Sequence, residues 1–411
     1  MGVADGYRTR AEGLVENPFN GLLAFIGLYL VADLILKLSG VDVVVNVPGM
    51  GATKIMGGVE PLDSFVSKVI NGLLRGLIIG LAGIGLSMTY SILGFANFAH
   101  GDFITVGAFI GTMTSYIIAG VVGAATYDIG TLALMKVEAS QLGLAITGGS
   151  LAFAAIVLGL LVAGVGTVGV VLLVDRLAFE PIRDRSSVSL LITSIGVALV
   201  IRYLANFIWG IEKFSTNAGS NSVWNVAVLG SNPEDRALAE GPPTWEFVIT
   251  ELSGSISANA HDLALLVIAV SLMLGVHVLL QTSKLGKAMR AMADNKDLAR
   301  VTGIPTERVI RFTWVLGGSL TGVAGYTWVL WRGTFGWFDG WLFLLLVFAA
   351  VILGGIGSIY GAMAGGLIIG LARDLSTVFI PSGLAKASAF ALMIVVLVVK
   401  PSGLFAGRTT A

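Results

Sequence analysis

The polar residues best placed for chemistry interrupt an apolar stretch between residues 86 and 107. Asn97, His100, Gly101 and Asp102 break the run, which then resumes as an apolar segment. A histidine close in sequence to Ser87 and Ser91 raises the possibility of a nucleophile and base inside a bilayer, which would require those side chains to face one another. The three histidines, His100, His261 and His277, stand far apart, and the chain has no cysteine. That excludes thiolate chemistry, disulfides and cysteine metal sites, and no histidine pair has metal-ligand spacing, so no metal site is expected. The one Gly-Lys pair, Gly286 and Lys287, is followed by Ala288 and lacks the upstream glycine of a phosphate-binding loop, so this chain is not expected to bind ATP by that route. Gly164, Gly166 and Gly169 match a dinucleotide fingerprint in spacing but lie in an apolar run with no strand before them, which is better read as helix packing.

The elements that must position these residues follow from composition. Of 411 residues, 55% are hydrophobic and 12% charged, and 25 basic and 25 acidic side chains cancel to a formal net charge of zero. Such a chain has lipid as its main solvent and no basic surplus for nucleic acid. About ten runs are long enough to span a bilayer, approximately 19–38, 69–93, 103–123, 151–174, 188–209, 262–281, 310–331, 341–360, 362–380 and 385–400. The predicted fold is all-α, a polytopic integral membrane protein with broken helices in its core. The glycines at 354, 355 and 357 read either as a turn between two spans or as a break inside one. Small-residue pairs four apart (Gly76 and Gly80, Gly107 and Gly111, Gly318 and Gly322, Gly361 and Gly365, Gly366 and Gly370) predict close helix contacts.

Charge placement sets the expected orientation. Residues 282–311 carry seven bases and three acids, net +4, whereas 210–262 carry two bases and seven acids, net −5. The positive-inside rule puts the first segment and both termini in the cytoplasm and the second outside. Residues 1–68 read as an N-terminal extension, with a retained signal-anchor helix followed by an outside loop at 40–68. Residues 69–405 read as the transmembrane domain, 210–262 as an external loop with one short helix at most, and 406–411 as a short cytoplasmic tail. Within 282–311, Leu285, Met289 and Met292 form one apolar stripe, Asp294 is placed to cap a second helix, and Gly303 with Pro305 marks a stop. Such a helix would lie on the membrane or dock into a partner. Inside the spans, Asp33 and Lys37 are i, i+4 partners and Arg373 is adjacent to Asp374, each a self-neutralising pair by spacing; Asp102 is the remaining carboxylate, at a span end. The segment around Asn97 and His100 reads equally as a discontinuous helix beside a translocation path or as a turn between spans.

Five stretches in order resemble the permease subunit of branched-chain amino acid ABC transporters: FANFAHGD (95–102), LAFEPIRDRSS (177–187), the run 285–325 that begins LGKAMRAMADNKDLARVTGIP, VILGGIGSIYGAMAGGLIIG (351–370) and KPSGLF (400–405). The resemblance covers about 70–405 and implies a multi-pass cell-membrane subunit that is not itself an enzyme and carries no cofactor, with ATP and Mg on partner subunits. Those partners would be a second homologous permease, two ATP-binding cassette subunits and an extracytoplasmic solute-binding protein, all acting in a lipid bilayer. It implies a substrate path at Asn97, His100, Gly101, Asp102, Gly354, Gly355 and Gly357. It further implies coupling to the ATPases through Leu285, Gly286, Lys287, Met289, Arg290, Ala291, Asp294, Ala299 and Gly303. Urea or a short amide is the alternative substrate, and an ion-coupled carrier the rival mechanism.

Overall fold

A computed structural model describes residues 18–47, 51–121, 149–215, 225–228 and 256–405, and they are mostly helical. Every predicted apolar run overlaps a helix: α1 (Pro18–Ser39), α2 (Leu62–Leu93), α3 (His100–Val121), α4 (Gly149–Val174) and α5 (Ser187–Trp209) in the first half. After these come α6 (Ala260–Thr282), two short helices α7 (Lys284–Asp294) and α8 (Lys296–Val301), then α9 (Thr306–Arg332), α10 (Asp339–Gly354), α11 (Ile359–Leu375) and α12 (Ala385–Val399).

Among the described residues seven helices are long and apolar enough to cross a membrane, namely α1 to α6 and the segment ending in α12. The expectation of about ten spans therefore narrows. Helices α10 and α11 form a bent pair, folded by 119° at the glycine break, and count together as at most one further span. At 16 residues, α10 is about 24 Å long, short of a hydrocarbon core of about 30 Å. Helix α9 is rich in glycine and threonine because it faces protein: more than half of its residues are buried, against α2, α3 and α4. Three of its threonines return hydroxyl bonds to their own helix, Thr313 to Val309 O at 2.9 Å, Thr321 to Gly317 O at 2.6 Å and Thr327 to Val323 O at 2.6 Å, so those hydroxyls need no water.

The core is α2, α3, α9, α10 and α11, with α4 packed on α3 and α9. Small residues let backbones meet, as the glycine pairs predict: a Cβ on Gly366 of α11 would lie 2.6 Å from the Cα of Gly80 in α2. Helix α1 stands at the edge and is largely exposed. Its inner side carries Asp33, which accepts the Gly57 N–H at 2.7 Å and pairs with Lys37 at 2.7 Å.

Both long loops carry short strands among their described residues. The segment expected as a plain outside loop at 40–68 contains an antiparallel hairpin, β1 (Asp42–Val47) with β2 (Gly51–Gly57), and the start of α2. In 210–262 the described residues include three short strands: β3 (Phe214–Ser215) pairs with β6 (Thr334–Phe335), and β4 (Asn225–Val228) with β5 (Ile256–Asn259). The termini 1–17 and 406–411, and most of the acidic loop, lie outside the described residues.

Candidate functional site

The first break is shorter than the sequence suggested. Helix α2 ends at Gly94 in a left-handed conformation (φ +73°), irregular chain follows, and α3 already starts at His100, so His100, Gly101 and Asp102 occupy its first turn. These side chains are fully enclosed by protein. His100 Nε2 lies 3.0 Å from Ala82 O and 3.4 Å from Thr321 Oγ1. Asp102 accepts a two-pronged ion pair from Arg202 of α5, at 3.0 Å from Nε and 2.9 Å from Nη2, and Arg202 stacks on Trp341 with 4.4 Å to the ring centre. Asn97 Oδ1 accepts the Ala99 N–H at 3.1 Å, while its buried Nδ2 has no partner among the described residues. Ser91 donates to Met88 O, and Ser87 Oγ is buried without a partner among the described residues, so neither serine bonds to His100. A serine and histidine pair is thus overturned by the local geometry.

The second break separates α10 from α11. Gly355 (φ +108°) and Gly357 (φ +85°) take backbone conformations that a side chain disfavours. A helix end leaves carbonyls unpaired, and here the chain's own tail satisfies two of them. The Leu404 and Phe405 N–H groups donate to Leu353 O and Gly354 O at 2.8 and 3.0 Å. The KPSGLF stretch is therefore a clamp on the glycine break.

The two breaks flank one cavity of about 90 Å³, whose walls include Leu86, Tyr90, Ala96, Phe348, Val351 and Ile356 and present no polar surface. Beside it a smaller cleft of about 30 Å³ joins Ser91, Gly357 and Tyr360 to Met289 and Arg290 of α7. The predicted coupling helix thus packs against both breaks. Ser283 caps α7 by accepting the Gly286 N–H at 2.8 Å. The second helix is capped by Asn295, which accepts the Leu298 N–H at 2.9 Å, and not by Asp294, which ends α7. Asn295 wins because its side chain sits three residues before that N–H, the reach that an N-cap needs.

The apolar stripe of α7 does not face outward. Gly286, Met289, Met292 and Ala299 are buried against the bundle, and Leu285 and Ala291 are half-buried. Lys287, Asp294 and Gly303 are exposed, as are Leu298 (60% accessible) and Val301 (84%) of α8. Sequence reasoning passed over those two apolar residues, although two bulky apolar side chains among charges were visible in LARVTG. It also had no signal for a chain of bonds from α7 to the second break. Arg290 Nη1 donates to Gln281 Oε1 (3.3 Å), and the Tyr360 hydroxyl meets both Gln281 Nε2 (3.2 Å) and His277 Nδ1 (2.7 Å).

At the same end, Arg183 donates two bonds to Asp175, at 2.7 and 2.8 Å, and one to Glu307 at the start of α9. Burial works against its charge, but the Asp175 and Glu307 carboxylates outweigh that and raise its pKa above the ordinary value. The Arg373 and Asp374 pairing expected from adjacency is corrected by the structure. Asp374 accepts from Arg75 of α2 at 2.9 Å, because neighbours on a helix point about 100° apart while α2 lies across the groove.

A family profile described as the permease component of the branched-chain amino acid transport system matches residues 68–399. The chain is 28% identical over 347 residues to the high-affinity branched-chain amino acid transport system permease protein LivH of Salmonella typhimurium, covering 83% of this chain and 95% of that one. BraD of Pseudomonas aeruginosa, also described as a high-affinity branched-chain amino acid permease, is 27% identical over 341 residues, with the same shares. A probable LivH of Methanocaldococcus jannaschii is 32% identical over 191 residues, 44% of this chain and 59% of that one. No solved structure matches.

Proposed function

This chain belongs to the family of branched-chain amino acid transport permease components, and on that premise we propose that it is the pore-forming subunit of an ABC importer for leucine, isoleucine or valine. It is an integral protein of the cell membrane. The observation that carries the reading is that the two helix breaks flank one apolar cavity, while α7 lines the smaller cleft beside it. An apolar cavity suits the aliphatic side chain of these amino acids. Urea, with no aliphatic part, gains nothing from it.

In this reading residues 282–311 face the cytoplasm and α7 with α8 contacts a cytoplasmic ATPase subunit, one of two. A second homologous permease completes the path, and an external binding protein delivers substrate. ATP-driven closure would move α7, and the Arg290, Gln281 and Tyr360 bonds would pass that movement to α11 at the second break, alternately opening the path to either side. The enclosed residues Asn97, His100, Gly101 and Asp102 would form the rigid wall beside the path, and Gly354, Gly355 and Gly357 its moving edge. Residues 1–68 would be an accessory extension to the domain 69–405. An ion-coupled carrier would need a carboxylate free to titrate, whereas Asp102 is tied to Arg202.

The test is uptake by proteoliposomes holding the complete transporter with its binding protein. Labelled leucine should accumulate only with internal ATP, survive an uncoupler, and compete with isoleucine and valine but not urea. Uptake that persists without ATP and collapses with the uncoupler would overturn the importer reading.

A further inference from the structure

The end of the bundle opposite α7 gathers charge that the importer scheme does not yet use. Arg75 of α2, Arg332 at the end of α9, Arg373 of α11 and Lys386 of α12 lie in one electrostatic group with Asp374 and Asp339. Both carboxylates are already engaged. Asp374 holds Arg75, and Asp339 holds Arg332 at 3.3 Å and Lys213 at 3.5 Å while accepting the Gly336 N–H at 2.8 Å. Arg373 and Lys386 have no ion-pair partner among the described residues, and Arg373 Nε and Nη1 are buried with no hydrogen-bond acceptor. Buried guanidinium donors without an acceptor are costly and are kept only where something supplies one. Aromatic surface adjoins the cluster: Arg75 lies over Trp331, 4.5 Å from the ring centre, and Arg332 over Trp328 at 5.9 Å.

Cations gathered at the end where the positive-inside rule expects few need a role other than orientation. We propose that Arg373, supported by Lys386, is a carboxylate subsite at the outer mouth that receives the α-carboxylate of the amino acid released by the binding protein. The inference rests on the importer reading and deepens it. A guanidinium presents N–H donors in a fork matched to a carboxylate, and the Lys386 ammonium adds a second positive charge. A neutral amide or urea would leave the cations unneutralised, so this end of the chain selects for an acid.

The experiment uses the complete transporter in proteoliposomes with saturating binding protein. Arg373→Gln should lower the leucine uptake rate about tenfold or more, the weight of one lost charged hydrogen bond, with binding-protein docking unchanged. Arg373→Lys should recover most of the rate. In the wild-type complex, phenylglyoxal labelling of Arg373, read by mass spectrometry, should be slowed by millimolar L-leucine and not by L-leucinol, which lacks the carboxylate. The subsite is overturned if Arg373→Gln takes up leucine normally or if leucinol protects equally. It is also overturned if the variant weakens docking of the binding protein, which would make an acidic side chain of that protein the occupant, or if protection follows anionic lipid in the vesicles. Failure of the wild-type complex to take up leucine with ATP would instead overturn the importer reading itself.

Discussion

Removing either partner of the Asp102 and Arg202 pair should destabilise the protein far more than removing both. Asp102 is 0% accessible and Arg202 7%, the contact is two-pronged at 3.0 and 2.9 Å, and Arg202 is held over Trp341. Asp102→Asn leaves a buried guanidinium uncompensated, and Arg202→Met leaves a buried carboxylate, each at a cost of about 3–5 kcal/mol. The double variant buries no charge and should cost less than either single change, so the double-mutant cycle should return a coupling energy of at least about 3 kcal/mol. Chemical unfolding of the detergent-solubilised protein, followed by tryptophan fluorescence, measures all four species. The reasoning is refuted if either single variant lies within about 1 kcal/mol of wild type, the ordinary cost of a point change, or if the two costs simply add. The double variant should also keep ATP-driven uptake, because in the importer reading the pair braces α3 against α5 and moves no proton.

Tyr360→Phe removes the hydroxyl joining Gln281 and His277 to α11. ATP hydrolysis by the assembled transporter should persist while leucine uptake per ATP falls several-fold, as measured in parallel in proteoliposomes. Gly403→Val should be poorly tolerated, since Gly403 has φ +87° and a Cβ there would lie 2.6 Å from the Cα of Gly355. Thermal unfolding should shift down by several degrees, equivalent to about 1–3 kcal/mol of strain, and normal stability would show that the tail does not clamp the break. Replacing exposed Leu298 and Val301 with serine should leave folding unchanged to within about 0.5 kcal/mol. Co-purification of the ATPase subunits should nevertheless be lost, and retained co-purification would place the contact elsewhere.

Much of the architecture was legible because it is local. A run of apolar residues specifies a helix wherever water is absent, and the ten runs all overlap helices. The glycine pairs marked close contacts correctly, since only small residues let helices approach. The paired start signals were less legible. Asp294 and Asn295 are both good caps, and one residue of register separated them. The stripe Leu285, Met289 and Met292 announced an amphipathic helix but not what its apolar face would meet. In the fold Met289 and Met292 are taken up by the chain's own bundle.

The sequence by itself therefore determined the solvent, the helices, the places where they break and the polarity of charge, because each follows from residue type within a turn or two of helix. Only the tertiary structure decided which distant groups neutralise one another. Asp102 found Arg202 and Asp374 found Arg75 across gaps of 100 and 299 residues, and Leu404 returned to cap Leu353. Those partnerships depend on the rotation and depth of one packed helix against another, which no spacing along the chain records. They also left Arg373 Nε and Nη1 without a hydrogen-bond acceptor among the described residues, which gives this end of the molecule something to bind.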